Sequence, residues 1–260
     1  IGCAIWVWRL APFWPVAFVV LAILLSFTFT LQHECTHDTP FQTRWLNSAV
    51  GFLTGVILFQ PFLWFRYFHL AHHRHTNDPG HDPELDGDGK PETWRDFIWH
   101  LSTVPYWSAK VSVLWQNAFS QEFAHYIPTA ARPKIQREAR FMLMIYTAAA
   151  VALWFEPKVI IIWLLPLAAG FPFLRLYLLA EHGRCAFIAN MFENTRTTFT
   201  NRVIRFIAWN MPYHTEHHVF PNVPFHSLPA LHRLMAQHLQ VTSNGYTDFT
   251  RAYVSGFKSR

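Results

Sequence analysis

Uncharged stretches of spanning length divide the chain into membrane and polar parts. Residues 10–32 carry no charged side chain, and about 20 apolar residues are enough for a helix to cross a bilayer. Two further apolar runs, 141–155 and 159–174, are separated by only three residues, which indicates a helical hairpin. Flanking basic residues can extend these shorter runs to the membrane surface. The pattern predicts transmembrane helices at about 10–32, 138–156 and 158–180.

A fourth uncharged stretch, residues 45–65, is also long enough to span. It contains glycine, glutamine and proline, which make it a poor lipid-facing helix. A complete crossing would place the histidine-rich segments around His37 and His69 on opposite sides of the membrane. Irregular backbone at membrane depth is tolerated where protein buries it. We therefore predict a re-entrant or interfacial pair of helices over about 45–66.

Histidines are concentrated in three short clusters beside these apolar stretches. The clusters read HECTH, HLAHH and HTEHH, and their i,i+3,i+4 spacing places imidazoles on one face of a helix. Tetrahedral zinc takes four ligands, so this larger set predicts two metal ions with open coordination positions. The cluster imidazoles belong to His33, His37, His69, His72, His73, His214, His217 and His218.

Composition supports a membrane protein. The chain is 52% hydrophobic and 14% charged, whereas soluble domains carry about 25% charged residues. The net charge of +5 then indicates membrane orientation and anionic lipid, and no nucleic-acid-binding motif accompanies it. The three cysteines are scattered and predict no disulfide framework. Because the chain begins at Ile1 rather than Met, we expect that an upstream segment is missing.

The charge distribution predicts which side the histidines face. On the topology above, Arg9 and Lys158 alone among the 21 basic residues lie on the far side. By the positive-inside bias, the histidine site faces the cytoplasm. We predict an all-α integral membrane helical bundle that is a single domain over 1–260. A cytoplasmic helical cap at 67–136 and 181–260 carries the dimetal site, and the polar residues 74–96 form a solvated loop.

The ordered set of clusters resembles the membrane fatty acid desaturase/hydroxylase superfamily. The resemblance covers nearly the whole chain and rests on HECTH, HLAHHRHTNDPGHDPE, AEHG at Ala180–Gly183, and WNMPYHTEHHVFPNVP from Trp209 to Pro224. It implies a non-haem diiron centre, with two iron ions held mostly by histidines and O2 as co-substrate. It also implies His182 as a ninth ligand. Polar neighbours expected to orient the ligand imidazoles from behind are Asp38, Glu181, Asn210 and Glu216.

The resemblance implies oxidation of a lipid C–H bond, with fatty acyl or lipid desaturation as the favoured outcome. Lipid or carotenoid hydroxylation or ketolation is the alternative within the superfamily. The chain has no HPGG, CxxC or GxGxxG stretch, so electrons are expected from a separate ferredoxin, rubredoxin or b-type cytochrome. The basic surface that would receive this carrier, or contact anionic headgroups, includes Arg132, Lys134, Arg137, Arg202 and Arg205.

Two other classes fit parts of the sequence. HECTH matches the HExxH motif of zinc metalloproteases, in which Glu34 would be the general base, but a protease leaves six clustered histidines unexplained. A metal transporter would need polar ligands inside its spans, and the predicted spans show none. Histidines expected to lie at the surface or in packing positions are His75, His81, His100, His125, His226, His232 and His238.

Overall fold

The computed structural model describes residues 1–86 and 89–257, and helices dominate this part of the chain. The helices are, in chain order, α1 (Gly2–Trp8), α2 (Trp14–Ser26), α3 (Thr28–Thr36), α4 (Arg44–Leu58), α5 (Phe62–His75), α6 (Trp94–Leu101), α7 (Val104–Phe119), α8 (Arg132–Phe155), α9 (Val159–Ile162), α10 (Leu164–His182), α11 (Met191–Asn194), α12 (Arg202–Ile207), α13 (His214–Val219), α14 (Leu228–Met235) and α15 (Tyr246–Ser255). Two short strands, β1 (Thr197–Thr198) and β2 (Thr242–Ser243), pair in parallel and are a small departure from the predicted all-α fold.

Three helical segments are long and apolar enough to cross a membrane, so the prediction of a helical protein with three candidate spans is confirmed. The first segment continues beyond the predicted boundary at residue 32, and His33 therefore lies within its helix. The second begins earlier than predicted, because α8 starts with charged turns before its apolar part. The three segments are Trp14–Thr36, Thr129–Phe155 and Val159–His182.

Close packing between α2 and α10 depends on a glycine. A Cβ added at Gly170 would lie 2.1 Å from the carbonyl oxygen of Ala22 and 2.4 Å from Oγ of Ser26. Small residues let helix backbones approach each other closely inside a membrane. Since α2 leads into the helix of His33, and α10 ends at His182, this contact aligns two of the histidine-bearing segments.

The chain turns sharply between α4 and α5, whose axes differ by 99°. Phe59 ends α4 in the left-handed region with φ of 57°. Gln32 provides hydrogen bonds to the polar groups at this corner. Its Nε2 donates to the Gln60 carbonyl at 3.0 Å, and its Oε1 accepts from the Gln60 side chain at 2.9 Å. A Cβ at Gly55 would lie 2.4 Å from that same carbonyl. The corner returns α5 to α3, so the second histidine cluster meets the first.

The loop after α5 is only partly solvated, which corrects the sequence prediction for residues 74–96. Asp82 and Asn77 are buried. The Lys90 amine donates to the Asn77 side chain and to the His182 carbonyl, at 2.9 Å in each case. The prediction was wrong because these polar groups find partners inside the protein. Gly87 and Asp88 lie outside the described residues.

Backbone pairing anchors the third histidine cluster. The N–H of Thr197 in β1 donates to the Val241 carbonyl at 3.1 Å, and that of Thr198 donates to the Pro212 carbonyl at 2.9 Å. Because Pro212 lies two residues before α13, the strand holds this helix from one side. The C-terminal part of the chain is thereby packed over the ends of α3, α5 and α10.

Candidate metal centre

All nine histidines predicted as ligands meet in one buried region. They come from four segments: the end of α3, the last two turns of α5, the end of α10, and α13. Eight of them are buried and His37 is half-buried. The histidine spacing within each cluster turns the rings to one side of its helix. The corner between α4 and α5 and the contact between α2 and α10 then bring the histidine-bearing faces of the four segments together.

Five of the imidazoles form the first group. One ring nitrogen from each lies within 4.8 Å of those from the other four. His69 is central, because its Nε2 lies 2.9 Å from Nε2 of His37 and 3.0 Å from Nε2 of His73. The group consists of His33, His37, His69, His73 and His217.

The remaining four imidazoles form the second group. Ring nitrogens of His72, His182 and His218 lie within 4.8 Å of one another. His214 joins them, since its Nε2 lies 3.1 Å from Nε2 of both His182 and His218. The sequence resemblance alone brought His182 into the predicted set, and the structure places it between two of the clusters.

Hydrogen bonds outside the second group assign the tautomer of three rings. Nδ1 of His72 lies 2.9 Å from a carboxylate oxygen of Asp82, and Nδ1 of His182 lies 3.0 Å from the Asn194 carbonyl. Nδ1 of His218 lies 3.1 Å from the Thr76 hydroxyl, whose own proton is donated to a backbone carbonyl. A neutral imidazole has one N–H and one lone pair. Each Nδ1 therefore carries the proton, and each Nε2 presents a lone pair.

These lone pairs face one another. Nε2 of His72 and Nε2 of His182 are 3.2 Å apart, although neither has a proton to share once its Nδ1 donates outward. Two buried lone pairs at this distance repel unless a cation lies between them. The arrangement therefore fits a metal ion bound by the second group, and the five rings of the first group offer a separate place for another.

Electrostatics favour the neutral form of the four candidate ligands that lie outside the candidate spans, and a ligating imidazole must be neutral. Burial, followed by neighbouring imidazoles, lowers the pKa of His214, His217 and His218 well below its ordinary value. Burial and then the Arg66 guanidinium lower the pKa of His37 to about 3. Imidazoles with such pKa values hold lone pairs available at neutral pH.

The four residues predicted to orient imidazoles have different partners. Oε1 of Glu181 lies 3.5 Å from Nδ1 of His214 and so faces a candidate ligand. The Asp38 carboxylate pairs with the Arg66 guanidinium. Side chains of the other two point elsewhere: the amide of Asn210 donates to the Phe225 carbonyl, and the carboxylate of Glu216 contacts Thr197 and His232.

Sequence reasoning missed the residues that contact the second group from outside. Asp82, Thr76 and Asn194 supply the acceptors behind three imidazoles. The first two lie within the HLAHHRHTNDPGHDPE stretch, so the available signal was a polar run directly following the second cluster. Glu34 was also assigned no role beyond the protease alternative, yet it is fully buried beside His33 and His217.

The histidines expected elsewhere lie outside both groups in the described chain. His75 and His81 stack at 5.5 Å beside Asp78. His100 contacts the Arg175 guanidinium at 2.8 Å, and His232 contacts Glu216. His125, His226 and His238 are exposed, as is His81.

Comparison with known proteins finds a family match over most of the chain. The sequence pattern of the family described as fatty acid desaturase matches residues 11–250 of the chain. This range contains every histidine of the two groups.

The sequence identity to individual relatives is low. The chain is 24% identical over 262 aligned residues to sn-1 oleoyl-lipid 12-desaturase of Anabaena variabilis, covering 91% of this chain and 60% of that protein. It is 26% identical over 243 residues to sphingolipid delta(4)-desaturase DES1 of Bos taurus, covering 89% and 68%. A segment of 69 residues is 35% identical to fatty acid conjugase FAC2 A of Calendula officinalis, covering 26% and 18%. The chain thus spans 60% of the length of the Anabaena relative.

Proposed function

We propose, because this chain belongs to the fatty acid desaturase family, that it oxidises a lipid C–H bond with O2 at a histidine-ligated diiron centre. In its specific form, the proposal is desaturation of a fatty acyl chain. The observation that carries it is the convergence of nine imidazoles, in a group of five and a group of four, at the ends of apolar helices.

The donor set suits iron. Imidazole nitrogen binds iron as readily as zinc, but zinc has no redox chemistry. Two bound iron ions supply the capacity to activate O2 and to remove hydrogen from an unactivated methylene. One ion would be held by His33, His37, His69, His73 and His217, and the other by His72, His182, His214 and His218.

The chain's own residues have three tasks in this proposal. The imidazoles present neutral lone pairs, and their outward hydrogen bonds keep the rings oriented. Asp82 holds His72, and Glu181 is proposed to hold His214. The packed C-terminal segment buries the region and excludes bulk water from it.

We propose a topology in which α4 and α5 enter and leave the membrane on the same side. The 99° corner and the contact between His37 and His69 support it, because a complete crossing would separate these two rings. The far side then carries Arg9 and Lys158, and the Lys158 amine lies 5.9 Å from the ring of Trp8 at that end. By the positive-inside bias, the remaining basic residues support a cytoplasmic orientation of the site in this proposal.

The proposed substrate is an acyl chain attached to a lipid. The relatives include an oleoyl-lipid desaturase and a sphingolipid desaturase, both named for lipids. The apolar spans beside the candidate site would let a lipid reach it from the bilayer.

Electrons for the reaction would come from a separate carrier such as a ferredoxin, rubredoxin or b-type cytochrome. For desaturation, one hydrogen atom leaves each of two adjacent carbons of the acyl chain, and these two carbons then share the double bond. The carrier supplies two electrons, the medium supplies two protons, and O2 becomes two molecules of water. Basic residues at the start of α8 and on α12 are candidates for contact with this carrier or with anionic headgroups.

Lipid analysis by mass spectrometry tests the proposal. Cells expressing the full-length protein should accumulate acyl lipids that lack two hydrogen atoms, and the His217→Ala variant should not. His226→Ala is the matched control, because His226 is exposed and lies outside both groups. An added oxygen atom would indicate hydroxylation instead. Lipid profiles that match those of cells without the protein would refute the proposal.

A further inference from the structure

Glu34 is buried between the first and third histidine clusters, and its two carboxylate oxygens have different surroundings. Oε2 accepts hydrogen bonds from the Thr39 hydroxyl at 2.8 Å and from the Phe225 backbone N–H at 3.2 Å. Oε1 is buried and has no hydrogen-bond partner. Oε2 is therefore held by two hydrogen bonds, whereas Oε1 is free to accept one from another neighbour.

Oε1 faces two ring nitrogens. Nδ1 of His33 lies 3.8 Å from it and Nδ1 of His217 lies 3.9 Å from it. Both of these nitrogens are also buried without a hydrogen-bond partner. Three unpaired polar atoms thus converge, and burying even one such group without a partner destabilises the folded protein.

Pairing these atoms has a direct consequence for metal binding. A carboxylate oxygen only accepts, so each Nδ1 that pairs with it must carry the ring proton. The lone pair of each ring is then on Nε2, the nitrogen turned away from Glu34 and toward the other imidazoles of the first group. An acceptor behind a ligand imidazole also fixes the ring orientation.

We propose that Glu34 is a positioning residue that sets the tautomer and orientation of both His33 and His217. This inference rests on the proposed diiron function. One carboxylate thereby couples α3 to α13, and through the Phe225 N–H it also fixes the segment that follows α13. The role differs from that of the glutamate in a zinc protease, which activates a water molecule at the metal.

Glu34→Gln tests this role with almost no change in shape. The glutamine oxygen is needed by the Phe225 N–H, so the amide group must turn toward the two Nδ1 atoms. An amide N–H donates, which forces the ring protons of His33 and His217 onto Nε2. Two ligands of the first group are then lost together, while the second group is untouched.

The measurement is iron content and iron retention of the purified full-length protein against a competing chelator. We expect two iron ions per chain in the wild type. In Glu34→Gln, the affinity of one ion should fall by about 10–100-fold, with one of two Mössbauer signals lost and the other unchanged. Glu138→Gln is the control, because Glu138 accepts from the Leu63 N–H at 2.8 Å and contacts a backbone group instead of an imidazole.

A second variant covers the case in which Glu34→Gln does not fold. Thr39→Val removes one donor to Oε2 but keeps the carboxylate, so both ions should bind and one should exchange faster than in the wild type. If Glu34→Gln and Thr39→Val both retain iron like the wild type, Glu34 has no positioning role. If the wild type itself binds no iron, the proposed function fails instead, so the two failures are distinct.

Discussion

The Asp82 carboxylate lies 2.9 Å and 3.1 Å, through its two oxygens, from Nδ1 of His72. The same carboxylate accepts from the backbone N–H groups of Asn77 and Glu84, at 2.7 Å and 2.9 Å. The loop after α5 therefore presents a fully oriented acceptor behind the second histidine cluster. This acceptor keeps the proton of His72 on Nδ1 and its lone pair on Nε2.

Asp82→Asn should weaken metal binding at the second imidazole group. One oxygen becomes an N–H donor, which opposes either a backbone N–H or the proton of His72. We expect a loss of about 10–100-fold in iron affinity, measured by competition with a chelator. Asp78→Asn is the control from the same loop, because the Asp78 side chain is 46% exposed and its histidine contacts among the described residues are His75 and His81, which lie outside both groups. Equal affinity in both variants would contradict the role of Asp82.

Gly170→Ala should destabilise the protein. Alanine normally favours a helix over glycine by about 1 kcal/mol, but here the new Cβ would lie 2.1 Å from the Ala22 carbonyl. Overpacking of this kind costs about 1–3 kcal/mol, so the thermal midpoint in detergent should fall. The control is Gly2→Ala, where a Cβ meets no atom within 4 Å. An unchanged midpoint in Gly170→Ala would show that α2 and α10 can separate freely.

Stability should depend on pH through Lys110. Burial, and then the Arg175 guanidinium, lower the pKa of Lys110 to about 7, while an unfolded lysine has a pKa of about 10.4. Between these two pKa values the Lys110 amine is protonated in the unfolded chain and neutral in the folded protein. The free energy of unfolding therefore rises with pH, by up to about 1.4 kcal/mol per pH unit.

Lys110→Met removes this titration and keeps an unbranched apolar side chain, and the amine that it replaces lies 5.4 Å from the centre of the Trp64 ring and 4.8 Å from that of Tyr106. The thermal midpoint of the wild type should therefore rise relative to that of the variant from about pH 7.5 to about pH 9.5. A constant or falling difference would mean that the amine keeps an ordinary pKa in the folded protein.

Iron removal should lower stability, because the folded protein binds the ion and the unfolded chain does not hold the site together. At a free iron concentration of 100 times Kd, each site adds about 2.7 kcal/mol. The thermal midpoint should thus fall on chelation and recover when ferrous iron is restored. The His72→Ala variant should recover less than the wild type, whereas an identical response would place the iron elsewhere.

The eight clustered histidines could be predicted to lie together because their signal is local, whereas His182 entered the set through the family resemblance alone. Spacing of three and four residues decides which rings share a helix face, and no distant contact is needed to see it. The return of α5 toward α3 followed from the requirement that His37 and His69 meet, and the structure brings them together.

Most residues that contact the rings from outside could not be predicted in the same way, although Glu181, which is next to His182 in sequence, does face His214. Glu216 is next to His217 in sequence. It lies two residues after His214 in α13, however, so its side chain is on the opposite face of the helix, where it contacts Thr197. Asp82 lies ten residues from His72, and only the folded loop brings the two together. Sequence adjacency is therefore a poor guide to these contacts, which depend on where loops fold.

Metal analysis of the purified full-length protein tests the central claim most directly. The two imidazole groups predict two iron ions per chain, and substitution of His72 or His217 should each remove one of them. An intact protein that contains one zinc ion and no iron, or that keeps both iron ions in His72→Ala and His217→Ala, would contradict the diiron assignment.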